Sequence, residues 1–175
     1  MKINNNFIKN RMYAYSIVLL SISILLGYIE VIIPMNAGYF GVKIGLSNII
    51  SIIGLKVVGV RNTFIINILR IIVFGVLFGN IARFLISIFA FLASFIVLVI
   101  YLNYLRCRIL ISSMFAAILH NIAQLICVSF IVKNLSIMSL LPLYIVFGII
   151  SGIIVGLISK LCLKYIDKLH LNNWI

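Results

Sequence analysis

The nineteen residues Phe84-Leu-Ile-Ser-Ile-Phe-Ala-Phe-Leu-Ala-Ser-Phe-Ile-Val-Leu-Val-Ile-Tyr-Leu102 contain no charged side chain. As a helix rising 1.5 Å per residue they reach about 28 Å, close to the ~30 Å hydrocarbon core of a bilayer. Working outward from this stretch, the same texture recurs along the chain, with single charges, prolines and asparagines separating apolar runs. The pattern predicts helices over 12–33, 44–60, 62–82, 83–103, 109–132 and 139–165. Composition agrees: 65% of the 175 residues are apolar, well above the roughly 45–50% of a soluble domain. The expected fold class is therefore an all-α integral membrane protein, a six-transmembrane-helix bundle forming one domain over 1–175 with no cleavable leader.

A formal net charge of +12 suggests nucleic acid, but the fourteen Lys and Arg stand singly between apolar runs rather than on one face. Topology explains them better. With the N-terminus inside, Lys2, Lys9, Arg11, Lys56, Arg61, Arg106, Arg108, Lys160, Lys164 and Lys168 are cytoplasmic. Lys43, Arg83 and Lys133 then face outward, and Arg70 lies within a span. Ten against three is a positive-inside bias. It predicts a multi-pass plasma-membrane protein with both termini cytoplasmic and its basic C-terminal stretch, Lys160 to Lys168, at anionic membrane lipid.

Acids are scarce, Glu30 and Asp167 being the only two. A site that holds magnesium and diphosphate through aspartate clusters, or cleaves a glycoside with paired carboxylates, cannot be built from two acids expected at opposite membrane faces. Cys107, Cys127 and Cys162 have no metal-ligand spacing, and no Gly-rich phosphate loop precedes a Lys-Ser/Thr pair. The expectation is a protein with no catalytic residue, no cofactor and no metal.

Polar residues within the spans are costly to bury and read as functional candidates. Glu30 precedes Pro34 near the outer end of helix one, and Lys43 opens helix two after a Gly- and Asn-containing turn. The two are placed to pair, either pinning the first loop or meeting a ligand. Asn48 follows about one turn deeper. Arg70 falls about 12–13 Å from the cytoplasmic end of helix three, too deep to snorkel, so it needs a carboxylate, carbonyls or an anionic substrate. His120 and Gln124 share a face of helix five and Asn121 sits about 100° round, a cluster that suits a lined cavity or interhelical bonding. Gly75 and Gly79 in helix three, and Gly148, Gly152 and Gly156 in helix six, form small-residue stripes suited to close helix packing. Tyr13, Tyr15, Tyr28, Tyr39, Phe40, Tyr101, Tyr104, Tyr144, Tyr165 and Trp174 read as an interfacial belt.

Glu30 with its Pro and Gly-rich turn, Gly41-Val-Lys43-Ile-Gly45-Leu-Ser-Asn48, Leu69-Arg70, Phe78-Gly79-Asn80 and His120-Asn121-xx-Gln124 resemble the bacterial Gx transporter family, also named heptaprenyl diphosphate synthase component I. The resemblance covers residues 12 to 165. Its members look like substrate-binding S components of energy-coupling factor (ECF) importers. It implies a six-helix bundle whose first loop lids an outward-facing pocket, and a bacterial plasma-membrane location. It also implies two kinds of partner, a transmembrane coupling subunit and a pair of cytosolic ATPases. S components often dock their partner through an Ala-xxx-Ala stripe on helix one, where this chain reads Ala14-xxx-Val18. The expected function is binding of a small anionic vitamin- or isoprenoid-related compound by Glu30, Lys43, Asn48, Arg70, Asn80, His120, Asn121 and Gln124. The alternative is a non-catalytic accessory subunit of heptaprenyl diphosphate synthesis or quinone-related prenyl metabolism.

Overall fold

A computed structural model of the chain describes residues 5–32, 45–78 and 81–168. Lys43, Gly79 and Asn80 lie outside the described residues. Within them the chain forms α1 (Asn5–Ile32), α2 (Asn48–Val57), α3 (Gly59–Phe78), α4 (Ile81–Val99), α5 (Ile109–Val132) and α6 (Leu141–Lys168), with no strand. A π-turn, Ile100–Tyr104, extends α4, and a 3-10 turn, Leu135–Leu140, leads into α6. The stretches containing α1, α3, α4, α5 and α6 are long and apolar enough to cross a membrane. The molecule is an all-helical bundle of the multi-pass membrane type.

The second helix differs most from expectation. It is ten residues long, not the span read over 44–60, and at 1.5 Å per residue covers only about 15 Å. Two glycines explain its length. Gly45 (φ +74°) and Gly59 (φ +81°) adopt left-handed backbone on either side of it, a conformation available to Gly at little cost and one that breaks a helix. Eight of its ten residues are buried, and it packs against α1, α3, α4 and α6. A helix that is apolar on all sides belongs inside protein, so the apolarity that read as a membrane span here forms the core. In α1, by contrast, only 17% of the apolar window is buried, leaving most of that helix for lipid.

Polar side chains tie α2 to α3. Ser51 Oγ donates to Asn67 Oδ1 at 3.1 Å, Asn67 Nδ2 to Thr63 O at 2.9 Å, and Thr63 Oγ1 to Gly59 O at 2.7 Å. All three side chains are buried and bonded, as apolar surroundings demand. Phe64 of α3 packs against Phe91 and Phe95 of α4 with ring centroids 5.7 Å apart, in the favourable aromatic range.

The glycines of α6 face α5. A Cβ on Gly148 would lie 2.8 Å from Ile118 Cα, one on Gly152 only 2.5 Å from Met114 Cα, and one on Gly156 3.1 Å from Leu110 Cδ1. Gly75 faces the Phe84 ring of α4 instead. Tyr144, expected in the interfacial belt, is buried; its carbonyl accepts a hydrogen bond from Asn121 Nδ2 at 3.2 Å, which ties the start of α6 to the middle of α5. Tyr13, Tyr28, Tyr104 and Tyr165 are exposed.

Because the Gly152 contact is with backbone, it cannot relax by a side-chain rotation. Gly152→Val should lower stability by about 2–3 kcal/mol, while Ile150→Val, on the exposed side of the same helix, should change it by less than about 0.5 kcal/mol. Thermal unfolding in detergent checks this, and equal Tm values for the two variants would contradict the packing described.

Candidate binding site

The last turn of α1, the turn before α2, the C-terminal half of α3, the start of α4 and the middle of α5 surround a cavity of about 90 Å³. Its apolar wall is Ile71 and Phe74 of α3 with Phe84 of α4. Small residues make room for the rings: a Cβ on Gly27 would stand 2.8 Å from Phe74 Cζ, and one on Gly75 2.8 Å from Phe84 Cδ2. Its polar wall is Glu30, Ser47, Arg70, Arg83, Ser87, His120 and Gln124.

Arg70 is the decisive group. It lies eleven residues beyond Gly59, about 16 Å along α3 at 1.5 Å per residue, deeper than expected because the helix starts earlier than 62. Its side chain is 8% exposed. Its Nη1 is buried and has no hydrogen-bond partner among the described residues. The acid that acts on it electrostatically is Glu30, but Glu30 Oε1 also accepts from the backbone N–H of Leu46. One carboxylate is thus shared between a guanidinium and the turn before α2. A buried donor left unmade costs about 1–3 kcal/mol, more when charged, so an incoming anion gains an interaction that these residues leave open.

His120, eleven residues beyond Ile109 in the 24-residue α5, presents a second polar set. Gln124 Nε2 lies 3.2 Å from His120 Nε2, and Ser94 Oγ lies 3.3 Å from His120 Nδ1. An amide nitrogen cannot accept, so Gln124 donates to Nε2, which makes Nδ1 the protonated nitrogen and the donor to Ser94. Ser94 Oγ in turn donates to Phe91 O at 3.0 Å.

Of the residues expected to bind substrate, the structure therefore brings Glu30, Arg70, His120 and Gln124 to one cavity. Asn121 faces away, bonded to α6. Asn48 stands at the first turn of α2, its N–H donating to Gly45 O at 2.8 Å, and is not part of the lining. Lys43 and Asn80 lie outside the described residues, as does most of the loop expected to act as a lid, and the expected Glu30–Lys43 pair falls outside them too. The sequence reading missed Ser47, Ser87 and Ser94 as site residues. A signal for the last two existed: Arg83, Ser87 and Ser94 recur at near multiples of 3.6 residues and form one polar stripe along α4. Among the described residues no three His, Cys, Asp or Glu side chains meet in a metal-like group.

The profile of one protein family, described as heptaprenyl diphosphate synthase component I, matches residues 19–162. The chain belongs to that family. The matched stretch runs from within α1 to near the end of α6 and contains every residue that lines the cavity, from Gly27 to Gln124. As a member of the heptaprenyl diphosphate synthase component I family, the chain carries its cavity in the portion common to the family. No curated protein and no solved structure matches the chain.

Removing one partner of a buried charged contact costs more than removing both. Glu30→Ala, which strands Arg70 and the Leu46 N–H, should destabilise the protein by about 2–4 kcal/mol. The double variant Glu30→Gln/Arg70→Met should recover at least half of that loss. Thermal unfolding of the two in the same detergent measures the difference, and a double variant less stable than Glu30→Ala would contradict the shared-carboxylate arrangement.

Proposed function

We propose that this protein is a substrate-binding membrane subunit of an ECF-type importer, taking a small anionic vitamin- or isoprenoid-related compound from the outer face. The observation that carries this reading is Arg70, which lines the cavity and whose buried Nη1 has no hydrogen-bond partner among the described residues. Among the described residues the lining holds two arginines and one carboxylate, so an anion suits it better than a cation or a neutral molecule. A guanidinium offers bidentate geometry to carboxylate or phosphate.

The orientation follows from the charges. Glu30 and Arg83 are at the helix ends nearest the cavity. Lys9, Arg11, Lys56, Arg61, Arg106, Arg108, Lys160, Lys164 and Lys168 are at the other helix ends, which the positive-inside rule turns toward the cytoplasm. The cavity then opens outward. Its volume of about 90 Å³ is well below the roughly 300 Å³ at which a pocket encloses a whole drug-sized ligand. It receives one charged group of a ligand whose remainder lies in the mouth. The chain has no ATP-binding loop of its own, so energy comes from partners, a coupling subunit and an ATPase pair. With two acids in the whole sequence, the chain acts by binding rather than by catalysis.

The family description supports a second reading, a non-catalytic membrane accessory subunit of heptaprenyl diphosphate synthesis. Mass spectrometry of compounds retained through mild-detergent purification separates the two. A soluble anionic compound supports import, and a polyprenyl lipid supports the accessory role. In either case Arg70→Ala should reduce retention at least about tenfold, the equivalent of one lost charge-assisted hydrogen bond; unchanged retention would contradict the site.

A further inference from the structure

We infer that Gly27 and Phe74 together select the ligand by the bulk of its uncharged part: the glycine gives the ring a seat against α1, and the ring, so seated, sets how much apolar group fits beside an anion at Arg70. The inference rests on the anion-binding reading above and adds a size selector to it. Gly27 of α1 and Phe74 of α3 both line the cavity. A Cβ on Gly27 would stand 2.8 Å from Phe74 Cζ and 2.9 Å from Phe74 Cε2, inside the about 3.5–4.0 Å at which carbons pack. The ring tip therefore occupies the volume that any other residue at position 27 would fill. Backbone shape does not account for the glycine. Gly27 lies within α1 and, unlike Gly45 and Gly59, is not in the left-handed region, and inside a helix glycine is less favourable than alanine. What the missing methyl provides is the seat.

The two rings of the apolar wall differ in how they meet their glycines. Phe74 touches Gly27 with its tip, the far end of a side chain that turns about two bonds, so a methyl at 27 displaces the ring rather than the helix. Phe84 meets Gly75 along an edge, with Cδ2 at 2.8 Å and Cγ at 3.5 Å from the position of a Cβ, close to its root and with little lever. Phe84 is the fixed wall and Phe74 the adjustable one. Because Gly27 and Phe74 both border the cavity, the volume of an added methyl comes out of it. Arg70 and Phe74 are four residues apart on α3, so they share a face and stand about 6 Å apart along the axis. An anion at Arg70 thus carries the rest of its molecule past the ring. The ligand class that follows is a small acid with a short apolar part, its charged group read by Arg70 and its apolar part measured by Phe74. A one-carbon acid ends before the ring, and a longer one meets it.

The test uses full-length protein in zwitterionic nanodiscs and two probe series of graded length, carboxylates from acetate to hexanoate and phosphate monoesters from methyl to hexyl phosphate. Affinity is read from ligand-dependent thermal stabilisation, with Arg70→Gln protein subtracting whatever the probes do elsewhere. The quantity compared is the ratio of affinities, longest over shortest member, in which a general loss of stability cancels. Gly27→Ala should lower that ratio at least about fivefold, the usual scale of overpacking. In a Phe74→Leu background, where the ring tip is gone, the same glycine substitution should change it by less than about twofold, as expected when the two side chains act through one contact. Phe74→Trp, which overfills the seat with Gly27 intact, should lower the ratio too and serves where Gly27→Ala does not fold. If Arg70-dependent binding persists but neither Gly27→Ala nor Phe74→Trp moves the ratio, the selector is overturned and the anion site stands. A Gly27→Ala effect as large with Leu at position 74 overturns the ring as its agent. If no member of either series gives Arg70-dependent stabilisation, the anion site fails and the selector with it.

Discussion

A guanidinium held within a membrane bundle with a fraction of one carboxylate to balance it is the constraint around which the other observations arrange themselves. Placing an arginine at the centre of a membrane helix costs about 2.5–3.5 kcal/mol even on the mildest scale, and Arg70 stands near the middle of the twenty-residue α3. The protein offsets part of this with Glu30, but Glu30 also fixes the turn before α2 through Leu46. Fold and site are thereby coupled. Whatever compensates Arg70 also bears on how α1 meets α2.

The short second helix is what makes the cavity possible. Because α2 begins only at Asn48 and is buried against α1, α3, α4 and α6, it fills one part of the bundle, and the cavity lies toward its N-terminal end. Gly45 and Ser47 line that space, the ends of α1 and α4 close its sides, and His120 forms its floor from the middle of α5. The opposite part of the molecule is tightly packed, through the Ser51–Asn67–Thr63 ladder, the Phe64, Phe91 and Phe95 rings and the glycine face of α6. A packed scaffold thus supports a cavity in which one buried polar atom, Arg70 Nη1, has no hydrogen-bond partner among the described residues.

Much of this was legible in the sequence, and the exceptions have physical causes. Long apolar runs reveal spans because a bilayer sets a length, so the helices around 62–82, 83–103, 109–132 and 139–165 were read nearly in place. The run around 44–60 was not, because hydropathy cannot separate a helix buried in protein from one buried in lipid; the two glycines that bracket it carried the missing signal. Buried ionisable residues stand out against an apolar background, and Glu30, Arg70 and His120, singled out on that ground, line one cavity. Asn121, expected beside them, is bonded to Tyr144 of α6 instead, because the direction in which a side chain points depends on which neighbour it packs against. Serines 47, 87 and 94 were missed because single hydroxyls in membrane helices usually bond to their own backbone, as Ser87 does to Arg83 O.

The central claim is that Arg70 is held ready for something that is not protein. An experimental structure of the full chain in lipid, at a resolution that distinguishes ordered small molecules, tests it most directly. Non-protein density within about 3 Å of Arg70 Nη1, on the side facing Glu30 and His120, is the predicted result. A carbonyl or carboxylate of the chain itself in that position would contradict it and make Arg70 a structural residue.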